Sequence, residues 1–237
     1  MTTALFCFAH AGASAMGFVR YRPLVGAGID VRPVELPGRG ARLGEPFATS
    51  LVDAARDALA RLSTELLAQQ PYALWGHSMG GLVVFEVARA AARAGLPLPE
   101  HTFVSSCRAP HLFSADPAST PSSDDELLAE IREMGGTPVE ALAQPEFAQL
   151  FLPVLRADYR LVGTYAPSGE NPLAFGELTV VTGSDDPIPE GDLLAWQRHA
   201  AGRFRFVRLD GGHFFVLENP EPMARFLRET LAGTKRR

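Results

Sequence analysis

The chain has 237 residues, 46% of them hydrophobic, and a formal net charge of −5. An acidic balance without a basic stripe excludes a phosphate-neutralising nucleic-acid binder, and no stretch reaches the roughly 18 apolar residues of a membrane span. What remains is a globular protein with apolar residues enough for a sizeable core, at a length where α/β chains are commonly one domain, here taken as 1–237.

In chain order, ALFCFA (4–9) reads as a buried strand followed by the loop HAGASAMG. The short apolar run lacks the charged flank of a secretory signal. Cys7 and Cys107 form no CxxC and no disulfide framework, so a reducing, cytoplasmic location is expected. Both cysteines fall in or beside strands and read as small buried hydrophobes rather than nucleophiles. IDVRPVEL (29–36) is a second strand that opens into the turn-rich loop PGRGARLGEP. SLVDAARDALARLSTELLAQQ is helical, with Ser50 and Asp53 spaced as a capping box. YALWG (72–76) is a strand running into GHSMG, MGGLVVFEVARAAARAG a helix closed by Gly95, and HTFVSS (101–106) the next strand. The pattern resumes with ELTVVTG (177–183), a helix around 191–200, the strand RFRFVRLD (203–210) and a helix from Pro220. Alternating strands and helices imply a mostly parallel sheet covered by helices on both faces.

Residues 108–176 are far too long for a simple crossover between parallel strands. The segment starts with the Pro/Ser/Asp-rich APHLFSADPASTPSSDDE. A helix with Leu127, Ile131 and Met134 on one face follows, then GGTP, then a helical run from about Pro145 to Tyr165. That run carries Phe147, Leu150, Phe151, Val154, Leu155, Leu161 and Tyr165 as an apolar stripe. It reads either as packing on the sheet edge or as a helical lid. The lid is preferred, because the insertion leaves from the carboxyl end of a strand, where open α/β sheets place their ligands.

The pentapeptide Gly76-His77-Ser78-Met79-Gly80 fits G-x-S-x-G, in which a strained strand-to-helix turn lifts a serine hydroxyl above the sheet. A hydroxyl is a poor nucleophile without a base. His213, in LDGGHFFVLENP after a strand and two glycines, has the context to swing over the sheet. His101, His111 and His199 read as surface or packed residues, His77 as a packing residue, and His10 as part of the loop after the first strand. The α/β-hydrolase order Ser, Asp, His places the acid between Ser78 and His213. VVTGSDDPIP offers Asp185 and Asp186, and counting from the strand-ending glycine favours Asp186 over its neighbour. The oxyanion hole would take the backbone N–H of Met79 and one from FAHAGASA, for which Ala11 is the choice.

FCFAHAGASA, LPGRGARLGEP, LWGHSMGGLVVFEVAR and LDGGHFFVLE together resemble the stand-alone type II thioesterases of bacterial polyketide and nonribosomal peptide assembly lines, across the whole chain. The resemblance implies an α/β-hydrolase fold with a helical lid insertion and a serine-dependent thioesterase. Its substrates would be acyl groups on the phosphopantetheine of acyl or peptidyl carrier proteins, with aberrant or stalled groups removed in antibiotic biosynthesis. It maps the triad onto Ser78, Asp186 and His213 and the oxyanion donors onto Ala11 and Met79, and it implies no metal and no cofactor. Ala13 stands where a glycine is commoner, a departure the loop should tolerate. Phe147 and Phe151 are expected to contact the acyl group from the lid. Arg39 and Arg42 read as a salt-bridged structural loop, with carrier or pantetheine contact as the alternative. The chain holds no G-x-D-S carrier motif, so the pantetheine is expected to arrive on another protein, and a monomer is expected. Two other functions stay open. One is a small-molecule carboxylesterase or lipase of the same fold, separable by comparing thioesters with oxygen esters. The other is a catalytically inactive ligand-binding fold, separable by fluorophosphonate labelling.

Overall fold

The computed structural model describes residues 2–67, 71–116, 120–121, 123–134, 144–167 and 175–234. Its elements run β1 (Thr3–Phe8), α1 (Arg22–Val25), β2 (Ile29–Pro33), α2 (Leu51–Leu67), β3 (Tyr72–His77), α3 (Met79–Arg93) and β4 (His101–Ser105). There follow α4 (Asp124–Met134), α5 (Pro145–Gly163), β5 (Leu178–Gly183), α6 (Glu190–Leu194), β6 (Phe204–Leu209), α7 (Phe215–Glu218) and α8 (Pro220–Thr234). Among the described residues no helix is long and apolar enough to cross a membrane.

The six strands form one sheet in the order β2-β1-β3-β4-β5-β6, every neighbouring pair parallel. Strand alternation sorts the core into two layers. Ala4, Phe6 and Phe8 of β1 join Leu51 and Ala54 of α2 and Leu82 and Val83 of α3 on one face. Leu5 and Cys7 join Trp75, Met223 and Leu227 on the other, under α8. Cys7 and Cys107 are buried free thiols, and burial pushes both up, Cys107 to about 12. As the sequence suggests, they are packing groups.

Two element ends carry the expected chemistry. Asp53 N–H donates to Ser50 Oγ at 3.0 Å at the start of α2, and Gly95 takes φ +67° just past α3. The second strand is shorter than its apolar pattern, ending at Pro33 rather than at residue 36. Val34 N–H still donates to Cys7 O at 2.9 Å, and the pairing stops there because its partner β1 ends at Phe8. The helix expected around 191–200 is α6 followed by a tighter 3₁₀ segment, Ala195–His199.

β1 lies between β2 and β3, so the chain leaves β1 toward one edge and β3 toward the other. This is the topological switch point of an open parallel sheet, and a crevice opens outside its carboxyl ends. Above that crevice sit the inserted helices. Leu127 and Ile131 of α4 and Leu155 of α5 form a small core of their own, against which Ala11 and Phe151 pack. The apolar stripe of α5 is buried at Val154, Leu155 and Leu161, but Leu150 is 61% exposed, so the stripe narrows toward the helix start. Residues 135–143, including the GGTP turn, lie outside the described residues.

Candidate active site

Ser78 follows β3 directly and precedes α3, with φ +54° and ψ −121°. This backbone conformation costs a non-glycine residue about 1–3 kcal/mol and is found where a site needs it. The flanking glycines are dictated by space. A Cβ on Gly76 would strike the Gly80 carbonyl, and one on Gly80 would strike the Phe8 carbonyl of β1. Only glycine lets helix, turn and neighbouring strand approach this closely.

The loops after β5 and β6 bring the other two groups to the serine. They are zipped together by Ser184 N–H to Leu209 O at 2.8 Å and Asp185 N–H to Gly211 O at 2.9 Å. The zip needs Gly211 at φ +122°. His213 Nε2 lies 3.1 Å from Ser78 Oγ, and its Nδ1 lies 3.2 Å from Asp186 Oδ1. A carboxylate at Nδ1 holds the proton there, leaving Nε2 to accept from the serine hydroxyl. Asp186 is held in turn: Ile188 N–H donates to Oδ1 at 3.2 Å and the Thr182 hydroxyl to Oδ2 at 3.1 Å. Burial pushes the Asp186 carboxyl up, but the His213 hydrogen bond and the further donors around it outweigh that and hold it below the usual carboxylate range. Of the two adjacent aspartates, the structure brings Asp186 to the histidine and leaves Asp185 exposed.

The remaining histidines pack, as expected. His77 is fully buried; its Nδ1 meets Ser105 Oγ at 3.1 Å, and burial pushes its pKa well down. His10 sits edge-on to His77 and Phe214, pushed down to about 4 by burial and by the nearby His213. His101 stacks on Phe103 and meets Thr179 Oγ1 at 2.9 Å. His199 is buried and meets His111.

The loop after β1 turns at Ala11 and Gly12, with Ala13 N–H bonded to His10 O at 3.2 Å and Gly12 at φ +81°. Ala11 and Met79 line the same cavity as Ser78 and His213, and among the described residues neither backbone N–H has a hydrogen-bond partner. Two amides at a serine, one from each side of the switch point, are the donors an oxyanion needs.

The arginines of the PGRGAR segment are structural. Arg42 is 8% exposed and ion-paired with Glu45 and Asp57. Arg39 is buried and forms a two-pronged pair with Asp158 of α5, Nη2 to Oδ1 at 2.7 Å. Asp158 lies on the buried stripe of α5, four residues after Val154, and a charged residue inside an apolar stripe was the sequence signal for it.

The cavity beside Ser78 has a volume of about 330 Å³ and mostly apolar walls, within the usual range for small-ligand sites. The sheet side contributes Leu82 and Cys107, and the insertion contributes Phe113, Tyr159 and Val162 together with two charged residues, Arg108 and Glu130. Phe151 is not among the lining residues; it packs on Gly12, where an added Cβ would meet its ring at 3.0 Å. The side chain of Phe147 lies outside the described residues. Tyr159 and Val162 therefore do the wall-building that the sequence assigns to Phe151, because α5 presents them about two and three turns further along.

Residues 3–231 match the sequence model of the thioesterase domain family. The chain is 36% identical over 231 residues to Linear gramicidin dehydrogenase LgrE of Brevibacillus parabrevis, over 96% of this chain and 87% of that one. It is 35% identical over 219 residues to the probable cadicidin biosynthesis thioesterase of Streptomyces griseus. That match covers 91% of this chain and 58% of the relative's length. Among solved structures, the RedJ thioesterase from the prodiginine biosynthetic pathway in Streptomyces coelicolor superposes with a TM-score of 0.87 at 35% identity. The superposition covers 96% of this chain and 85% of that one.

Proposed function

The chain belongs to the thioesterase family, and from that premise we propose that Ser78, His213 and Asp186 hydrolyse acyl thioesters carried on the phosphopantetheine of acyl or peptidyl carrier proteins. The observation that carries this reading is Ser78 on its strained elbow, 3.1 Å from His213 Nε2, at the wall of an apolar cavity. Thiolate is a good leaving group, so these residues suffice for the reaction and it calls for no metal or cofactor. Ser78 Oγ attacks the carbonyl while His213 takes its proton. The developing oxyanion is held by the Ala11 and Met79 amides. The proton then passes from His213 to the departing thiolate, leaving an acyl-serine. His213 next activates water, and hydrolysis returns free serine and a carboxylic acid. Asp186 keeps the imidazole oriented and balances its charge.

The predominantly apolar walls suit an acyl chain, and with it removal of stalled or aberrant acyl units from assembly-line carriers. The relative named a cadicidin biosynthesis thioesterase and the prodiginine-pathway RedJ support that setting. The dehydrogenase in the name of LgrE belongs to that protein; the groups gathered around Ser78 here are those of acyl transfer.

A hydrolysis panel tests the proposal. One short acyl group is offered on a carrier protein, on free pantetheine and as a matched oxygen ester. The carrier-bound thioester is expected to give the highest kcat/KM, and Ser78→Ala to abolish turnover and the trappable acyl adduct. Preference for the oxygen ester, or an adduct on Cys7 or Cys107, would overturn it.

A further inference from the structure

We propose that Asp158 is a positioning residue through which the inserted helix α5 sets the oxyanion loop, so that the hole is complete only while that helix is seated. The inference rests on the reading above that Ala11 donates to the oxyanion. Asp158 Oδ2 accepts the backbone N–H of Gly12 at 2.7 Å, across 146 residues of sequence. Asp158 is fully buried, and both of its oxygens also receive the Arg39 fork. Burial pushes this carboxyl up, opposed by Arg39 and by the Gly12 amide.

The loop is held at two points. Downstream of Gly12, Ala15 N–H donates to Glu35 Oε1 at 3.0 Å, with the Ser14 hydroxyl on Glu35 Oε2. That anchor comes from the chain just after β2, part of the sheet framework. At Gly12 itself the anchor comes from the insertion. The His10–Ala13 turn has Gly12 in its third position at φ +81°, the geometry of a type II turn. Such a turn interconverts with type I by rotation of the central peptide, here Ala11–Gly12. An acceptor for Gly12 N–H holds that peptide in one orientation and so fixes ψ of Ala11. The Ala11 N–H lies in the preceding His10–Ala11 peptide, which the same anchor holds in place through the closed His10–Ala13 turn. Leu155 and Phe151, one turn and two turns before Asp158 on α5, close over the same glycine, with an added Cβ meeting Leu155 at 2.9 Å.

A buried ion pair contributes little net stability compared with apolar residues of the same volume. What Arg39 and Asp158 supply that such residues could not is an acceptor for Gly12. Asp158 keeps Gly12 aimed, and any outward movement of α5 to admit an acyl chain withdraws the acceptor. Chemistry then waits for the helix to return.

The test compares Arg39→Met/Asp158→Leu, an apolar pair of similar volume, with Arg39→Gln, which leaves the acceptor in place. The double variant should fold and keep its KM within about threefold, while kcat falls by about 10- to 100-fold, the range below loss of a whole oxyanion donor. Its affinity for an alkyl boronic acid, which mimics the tetrahedral state on Ser78, should fall by the same factor. Arg39→Gln should lower Tm yet keep kcat within about threefold. A folded double variant with unchanged kcat and boronic acid affinity would overturn the proposal, as would equal loss of kcat in Arg39→Gln. Hydrogen exchange on the wild-type protein gives a reading that needs no variant. Saturating boronic acid should protect the 9–17 and 151–161 segments together, and protection of the loop alone would also overturn it. Wild-type inactivity on thioesters would sink the proposed function instead, which the exchange experiment leaves separately readable.

Discussion

Replacing Asp186 by asparagine exchanges one oxygen for an amino group and removes one charge, and the neighbours decide which oxygen goes. Ile188 N–H, 3.2 Å from Oδ1, can only donate, whereas the Thr182 hydroxyl at Oδ2 can rotate to accept. The amide oxygen therefore stays at the Oδ1 position facing His213, and the histidine keeps its proton on Nδ1. What is lost is the counter-charge to the imidazolium that forms as Ser78 attacks. At 3.2 Å and an effective dielectric of about 20, that attraction is about 5 kcal/mol. The amide recovers about 1 kcal/mol of it as a neutral hydrogen bond. The net loss of about 4 kcal/mol corresponds to a fall in kcat of roughly 10³-fold. Asp186→Ala also frees the ring to turn and should fall further, by about 10⁴-fold or more. Steady-state hydrolysis of a pantetheine thioester, with thermal melts to show that each variant folds, measures both. A loss in Asp186→Asn as large as in Asp186→Ala would mean that the tautomer had inverted and would refute the orientation argument. A loss under tenfold would remove Asp186 from its role. Asp185→Asn, at an exposed position, should stay within about twofold of wild type.

Acid should unfold the protein early. His10 and His101 are each pushed down to about 4, His10 by burial and His213, His101 by burial and Arg205 and Arg203. Both titrate near 6.5 when unfolded. Their contribution is thus intact above pH 6.5 and lost as pH falls toward 4, about 2 kcal/mol each between pH 7 and pH 5. Urea midpoints at the two pH values measure the loss, and equal midpoints would refute it. Gly80→Ala drives a methyl into the Phe8 carbonyl and should cost about 3 kcal/mol or more of stability together with most of kcat, read by Tm and turnover. Tyr159→Ala and Val162→Ala enlarge the cavity from the insertion side and should shift kcat/KM toward longer acyl chains. A flat chain-length profile would show that acyl length is set elsewhere.

The sheet was legible because inner strands such as β1 and β5 are apolar runs buried on both faces, while the edge strands β2 and β6 alternate apolar with charged residues. Ser78, Asp186 and His213 were legible because each sits at a fixed offset from a strand end, so that a one-dimensional count recovers a three-dimensional meeting. The insertion was less so. Periodicity finds the apolar face of α5 but not which part of it faces the cavity and which part faces a loop, and Phe151 went to Gly12. The Arg39–Asp158 contact spans 119 residues, beyond any local pattern. Only the oddity of a charge on an apolar stripe marks it. Strand β2 ended before its apolar pattern did because its one partner, β1, ends at Phe8, which no pattern within β2 itself reveals.

The close approach of Gly80 to the Phe8 carbonyl involves no side chain from either partner. The spacing between the serine turn and the loop after β1 is accordingly a main-chain dimension, which side-chain exchange elsewhere leaves alone so long as position 80 stays glycine. The cavity, in contrast, is bounded by side chains, several of them from a segment outside the strand ladder. The elbow spacing and the acyl preference thus reside in different parts of the molecule, and they meet on α5, where Asp158 holds the loop while Tyr159 and Val162 line the cavity. A library confined to Phe113, Tyr159 and Val162 would explore new acyl groups with turnover of a short acyl thioester as its internal standard.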